Sequence, residues 1–210
     1  MKRIGLLGGS FNPAHSGHRR IALGAIDALA LDEVWLLVSP GNPLKGETSD
    51  MAPFASRLAS ARKIARRSRI RASAIESRIG TRYTDDTVTK IVRRYPKNRF
   101  VWLMGADNLR QFPKWRRWRH IARTVPIAVI ARPGYDGVAR TGLGWAWLRH
   151  FVRPAGQARN WTMWRPPALV LLRFRPDPAS ATLLRRANPG WHFSFNPAGV
   201  RDRVSRRSLD

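Results

Sequence analysis

Apolar residues along the chain fall into two patterns, short unbroken runs and stretches in which they recur every three or four positions. Ile4–Leu7, Val34–Val38, Phe100–Met104, Pro126–Ala131 and Ala168–Phe174 are runs, and such runs suit strands buried on both faces of a parallel sheet. Ile70, Ala72 and Ala74 alternate as a further short strand. Helical spacing appears in Ile21, Ala25 and Leu29, and again in Phe54, Leu58, Ala61 and Ala65, where Pro53 suits the first turn. A third helix carries Val88, Ile91, Val92 and Tyr95, with Thr84 or Asp85 able to cap it. Strands alternating with helices predict an α/β fold, a Rossmann-like parallel sheet with helices on both faces. A helix around Val138–Phe151 followed by a variable loop is expected, then a helix beginning at Pro178–Ser180. The expectation is one domain over residues 1–200. Trp191, Phe193 and Phe195 dock on it, and residues 201–210 form a frayed tail.

The polar turns at the ends of these strands carry the candidate chemistry. Gly8 to His18 reads GGSFNPAHSGH, between a strand and a helix. Gly8 and Gly9 lack Cβ atoms, so phosphates could approach the main chain. Ser16 can cap the next helix and leave its first amides for an anion. His15 and His18 stand three apart on one side of the helix entrance, where two imidazoles can donate to phosphoryl oxygens. The spacing matches neither the dinucleotide fingerprint nor the P-loop.

Lys45 follows the turn Ser39–Pro43 and reads equally as a phosphate contact or a solvent-facing side chain. Asp107, just past a strand end, reads as a group for ribose or a hydrated cation, or as a helix cap. Phe112, Trp115 and Trp118 are interleaved with basic residues, which suits either stacking on a ligand or packing at helical spacing. Arg57, Arg62, Lys63, Arg66 and Arg67 read as a solvated basic helix face. Ser180, Thr182 and Arg185 place hydroxyls and a guanidinium at a helix start, suited to the β- and γ-phosphates of a nucleotide.

Length and charge narrow the classes. With 210 residues the chain can bury one substantial core, and 43% apolar residues argue against general disorder. No long apolar run predicts a membrane span, and the N-terminus leads directly into a strand, unlike a signal peptide. Cys at 0 excludes disulfides and thiolate metal sites, which fits a cytoplasmic location. The net charge of +26 favours polyanions, either small substrates such as ATP or nucleic acid, although a solvating excess of Arg explains it as well. Tyr135–Pro167, rich in Trp and Arg, is the stretch most open to a subunit contact or a nucleic-acid face.

The string His15-Ser16-Gly17-His18 matches the His-x-Gly-His signature and resembles the nucleotidyltransferase superfamily. Asn42-Pro43-Leu44-Lys45, Tyr83-Thr84-x-x-Thr87, Met104-Gly105-x-Asp107, Phe112-x-x-Trp115 and Ser180-x-Thr182-x-x-Arg185 follow in order and resemble the bacterial nicotinate-nucleotide adenylyltransferase family, over most of residues 1–185. Leu183 and Leu184 depart from that last motif's usual small residue and isoleucine. The resemblance implies adenylyl transfer from ATP, with Mg²⁺, to nicotinate mononucleotide. It assigns Gly8, Gly9, Ser10, Phe11, His15, His18, Lys45, Asp107, Ser180, Thr182 and Arg185 to ATP, with His15, His18 and Arg185 catalytic. Thr84, Trp115 and Arg116 fall to nicotinate mononucleotide. It implies no dedicated protein metal site, no specific nucleic acid and no membrane, and leaves a homo-oligomer open. Pantetheine-phosphate adenylyltransferase, a basic nucleic-acid-binding protein and an α/β protein with a degenerate site are the alternatives.

Overall fold

Strands Arg3–Gly9 (β1), Glu33–Val38 (β2), Ile70–Ser73 (β3), Arg99–Gly105 (β4), Ile127–Ala131 (β5), Val152–Arg153 (β6) and Leu169–Arg173 (β7) form one sheet. Their order is β3-β2-β1-β4-β5-β7-β6, and every pairing is parallel. The structure is a computed structural model that describes residues 1–41, 51–131, 142–174, 177–195, 202 and 204.

Alternate strand residues feed two cores. Val34, Leu36, Val101, Leu103, Ala128 and Ile130 face one side, and Trp35, Leu37, Phe100, Trp102, Ile127 and Val129 the other. The first side is covered by Ser16–Ala28 (α1) and Phe54–Ile64 (α2) through Ala22, Ala25, Ile26, Leu58 and Ala61. The second is covered by Ile75–Arg78 (α3), Thr84–Arg94 (α4), Ala106–Gln111 (α5), Trp118–Thr124 (α6) and Leu143–Leu148 (α7). Burial on both faces explains why the strand sequences read as continuous apolar runs. A last helix, Ala181–Ala187 (α8), buries none of its residues.

The region between β5 and β7 departs from expectation. Of the expected helix, residues 138–141 lie outside the described residues, Leu143–Leu148 is helical, Arg149–Phe151 tightens to a 3₁₀ turn, and the chain then enters β6, a two-residue edge strand beside β7. A 3₁₀ segment, Ala155–Met163, follows, and within it Trp161 is buried with its Nε1 donating to the Leu29 carbonyl at 3.0 Å. Trp145 and Trp147 pack against the second core and Trp164 against the first. The tryptophans a stacking groove would need are thus taken up in packing. In the tail Trp191 docks and Phe195 meets it edge-on, but Phe193 is 84% exposed, contrary to expectation. The frayed tail fails at Asp202, a buried carboxylate that accepts from the Ala74 amide and the Ser73 hydroxyl.

Winding runs outward in both directions from the adjacent strands β1 and β4, so the loops that leave their C-terminal ends diverge and open a crevice. Arg57 underpins one wall of it. Expected on the solvated face of α2, it is instead only 1% exposed. Its Nε donates to the Ala52 carbonyl at 2.9 Å, Nη1 to those of Ser10 at 2.9 Å and Ser39 at 2.7 Å, and Nη2 to that of Pro40 at 3.1 Å. Desolvation pushes the guanidinium down to about 10, so it remains charged at neutral pH. Arg57→Met fills similar volume but strips these carbonyls of their donor, and is expected to cost about 3 kcal/mol. Thermal unfolding checks this, with Tm falling by roughly 6–12 °C.

Candidate active site

The loop after β1 is held from beneath. A Cβ on Gly8 would lie 2.7 Å from the Trp102 ring and one on Gly9 3.3 Å from the Phe11 ring, so these glycines make room for the protein's own aromatics. Phe11 adopts φ 49°, a left-handed conformation costly for a bulky residue, and is held there by burial of its ring. The Ser10 carbonyl is bound by Arg57, and the Ala14 amide donates to Ser60 Oγ at 3.1 Å.

His15 occupies the cap position of α1, and Ser16 is already helical, so Ser16 is not the cap. Its hydroxyl donates instead to Asp177 Oδ1 at 3.0 Å. The His15 amide donates to His18 Nδ1 at 3.2 Å, and the two imidazole centroids lie 3.9 Å apart. An Nδ1 that accepts a hydrogen bond carries no proton, which leaves His18 Nε2 as the donating nitrogen. Gly17 is required here, since a Cβ would stand 3.0 Å from the His15 ring.

The far end of the chain comes to this loop. The Ala179 carbonyl lies 3.5 Å from the position of a Gly17 Cβ, and Arg185 Nη1 donates to the Asn12 carbonyl at 2.7 Å. Ser180 is the cap residue of α8 without a capping side-chain bond, and Thr182 is exposed. Asp107 stands in the first turn of α5, where β4 ends, and its Oδ1 is buried with no hydrogen-bond partner. Lys45 lies outside the described residues.

Thr84, Trp115 and Arg116 gather on a second wall. Thr84 opens α4, but neither it nor Asp85 caps the helix; Tyr83 holds that position. Asp85 is drawn into the interior, where its carboxylate pairs with His120 Nδ1 and with Arg117 Nη1. Asp86 pairs with Arg116 at 2.9 Å, and the Arg116 guanidinium lies 4.6 Å from the Tyr83 ring centre. These pairs fasten the start of α4 to the segment that carries Trp115. Trp115 is partly buried and meets Phe112 and Trp102 edge-on, so it connects through Trp102 to Gly8 on the first wall. Trp118 packs on Phe112 and Trp147.

Beneath α4, Glu76 is buried and its Oε1 lies 3.0 Å from Thr87 Oγ1, which also lies 2.9 Å from Thr81 Oγ1. Burial pushes the carboxyl up to about 7 against the Thr87 hydrogen bond, which lowers it. Sequence reasoning missed Glu76, Arg57, Trp102, Asp177 and the Asp85–His120 pair. Only Arg57 left a signal, standing three residues from Phe54 and thus beside the apolar stripe of its helix.

The profile of the cytidylyltransferase-like family matches residues 6–187. A protein of Erythrobacter litoralis named "Probable nicotinate-nucleotide adenylyltransferase" is 55% identical over 207 residues, covering 99% of this chain and 94% of that relative. One of the same name from Parvibaculum lavamentivorans is 51% identical over 189 residues, covering 90% and 93%. Among solved structures, Plasmodium falciparum nicotinic acid mononucleotide adenylyltransferase complexed with NaAD superposes with a TM-score of 0.66 at 17% identity, covering 89% of this chain and 83% of that one. That likeness is one of fold.

Glu76 gives the fold a pH dependence of definite sign. Its pKa is raised in the folded state, from 4.5 to about 7, so the contribution is full below pH 4.5 and is lost as pH rises through 7. Glu76→Gln removes the titration, and its stability relative to the parent is expected to improve by about 3 kcal/mol between pH 4 and pH 8. Urea unfolding at the two pH values measures this.

Proposed function

The chain belongs to the cytidylyltransferase-like family and, within it, to the nicotinate-nucleotide adenylyltransferases, and from that premise we propose that it joins ATP to nicotinate mononucleotide in NAD biosynthesis. The 5′-phosphate oxygen of the mononucleotide attacks the α-phosphorus of ATP, the bond to the β-phosphate oxygen breaks, and nicotinate adenine dinucleotide and pyrophosphate result. The nucleophile is already ionised at neutral pH, so the work is alignment and charge stabilisation without a covalent intermediate. The observation that carries this reading is the meeting of the His15–His18 loop with Arg185 at the opening between β1 and β4.

His18 donates through Nε2, and with His15 it stabilises the triphosphate as charge moves onto the leaving pyrophosphate. Arg185 and Ser180 bind the β- and γ-phosphates, with Thr182 beside them, while main-chain amides of Gly9–Phe11 meet nucleotide phosphate and Lys45 adds a cation. Thr84 and the amide of Arg116 receive the nicotinate carboxylate, and Trp115 stacks on its ring. The guanidinium of Arg116 is engaged by Asp86, which supports a main-chain role for this residue.

Among the described residues no group of three His, Asp or Glu side chains forms a metal cage. The unpartnered Oδ1 of Asp107 fits a Mg²⁺ carried chiefly by the triphosphate. When bound, Mg²⁺ neutralises phosphate charge. Among the described residues no helix is long and apolar enough to cross a membrane, which supports a cytoplasmic site of action.

Pyrophosphate release from ATP is expected with nicotinate mononucleotide and is expected to be much weaker with the amide mononucleotide. Equal rates would overturn the assignment of Thr84 and Arg116 to the carboxylate. His18→Ala is expected to lower kcat by roughly 10²–10³-fold with an unchanged circular dichroism spectrum.

A further inference from the structure

Helix α8, which carries Thr182 and Arg185, has no buried residue, and Leu183 and Leu184 are 58% and 39% exposed. Seven residues cannot hold helical order by their own hydrogen bonds, and here no apolar face supplies the difference. Polar ties must hold this segment in place. One is the bond from Arg185 to the Asn12 carbonyl, but that guanidinium is also the group that must turn to phosphate.

The other tie is Asp177. Its Oδ1 accepts from the Ala179 amide at 2.9 Å and from the Ser16 hydroxyl at 3.0 Å, and its Oδ2 pairs with Arg20 Nε at 3.2 Å. Ser16 lies between the two histidines and Arg20 one turn along α1, so a single carboxylate joins both ends of the chain at the start of that helix. The Ala179 amide, ahead of Ser16, Arg20 and His15, holds the carboxyl below the usual carboxylate range, so at neutral pH it is the charged acceptor these contacts need. Both oxygens are committed to protein donors, and the cations around them offset a negative charge that would otherwise repel a triphosphate.

We propose that Asp177 is a positioning residue that keeps Ser180–Arg185 over the phosphate-binding loop, so that its loss impairs the use of ATP and spares the use of nicotinate mononucleotide. This rests on the function proposed above. When Arg185 turns to the phosphates and leaves Asn12, the Asp177 contacts with Ser16 and Arg20 still hold the segment to α1, whereas the nicotinate wall is fastened separately by Asp85 and Asp86.

Pyrophosphate release with each substrate varied in turn tests this on Asp177→Ala, Asp177→Asn, Ser16→Ala and the double variant Ser16→Ala/Asp177→Ala. Asp177→Ala is expected to raise the KM for ATP about tenfold, the equivalent of one lost charge-assisted hydrogen bond, and to leave the KM for nicotinate mononucleotide within about twofold. Asp177→Asn keeps an oxygen for Ser16 and Ala179 and is expected to recover most of the loss. Ser16→Ala and Asp177→Ala are expected to be non-additive. Equal effects on both KM values, or none, would overturn the proposal. If Asp177→Ala does not fold, the same split is read from Ser16→Ala. A parent protein that releases no pyrophosphate refutes the function and leaves the tether testable by amide exchange without ligand. Amides 181–187 should then exchange faster in Asp177→Asn or Ser16→Ala than in the parent, and equal exchange would refute the tether.

Discussion

A buried guanidinium whose described hydrogen-bond partners are all backbone carbonyls stands under the site, and much of the local geometry follows from it. Parallel strands present carbonyls at their C-terminal ends, the edge of an α/β sheet where ligands bind. A polyanion approaching β1 and β2 would meet the carbonyls of Ser10, Ser39 and Pro40. Arg57 takes up all three and also holds the Ala52 carbonyl ahead of α2. The same contacts fix the two loops relative to each other and add beneath them a positive charge with no ion-pair partner among the described residues. Burying that charge is costly on its own, as the lowered pKa of Arg57 records.

The strands were legible because burial on both faces writes an unbroken apolar run, and the first loop because its residues are contiguous. Long-range partners were not legible. Nothing local connects Asp177 to Ser16, Asp85 to His120, or Asp202 to Ser73, since each pair meets only after the sheet has formed. Arg57 was hidden by abundance, as one more arginine in a chain with 39 basic residues. Gly8 was legible only in part. Its second reason to be glycine lies far along the chain, because the ring of Trp102 fills the space that a Cβ would need. The strand β6 escaped notice because two edge residues leave no period to read.

The C-terminal stretch closes the domain by separate polar contacts together with a few apolar anchors. Asp177 and Arg185 tie it to α1 and its loop, Trp191 docks beyond them, and Asp202 reaches the end of β3. Through Ala74 and Ser73 that last contact touches the chain just before Glu76, which supports α4. The end of the sequence thus contacts both the loop after β1 and the end of β3.

The scarcity of acid gives Asp107 its significance. With 13 acidic residues against 39 basic ones, any carboxylate has cations within reach, and the other described acids are engaged. Asp27, Glu33, Asp85, Asp86, Asp177 and Asp202 pair with Arg, Lys or His, Asp32 accepts from the Arg3 amide, and Glu76 meets Thr87. Asp107 alone among them keeps a buried oxygen with no donor, at the strand end facing the crevice. An unsatisfied buried carboxylate oxygen costs several times what one hydrogen bond returns. In so basic a chain it persists only where arginines are kept away, and that exclusion suits a group reserved for a donor or cation that arrives with the substrate.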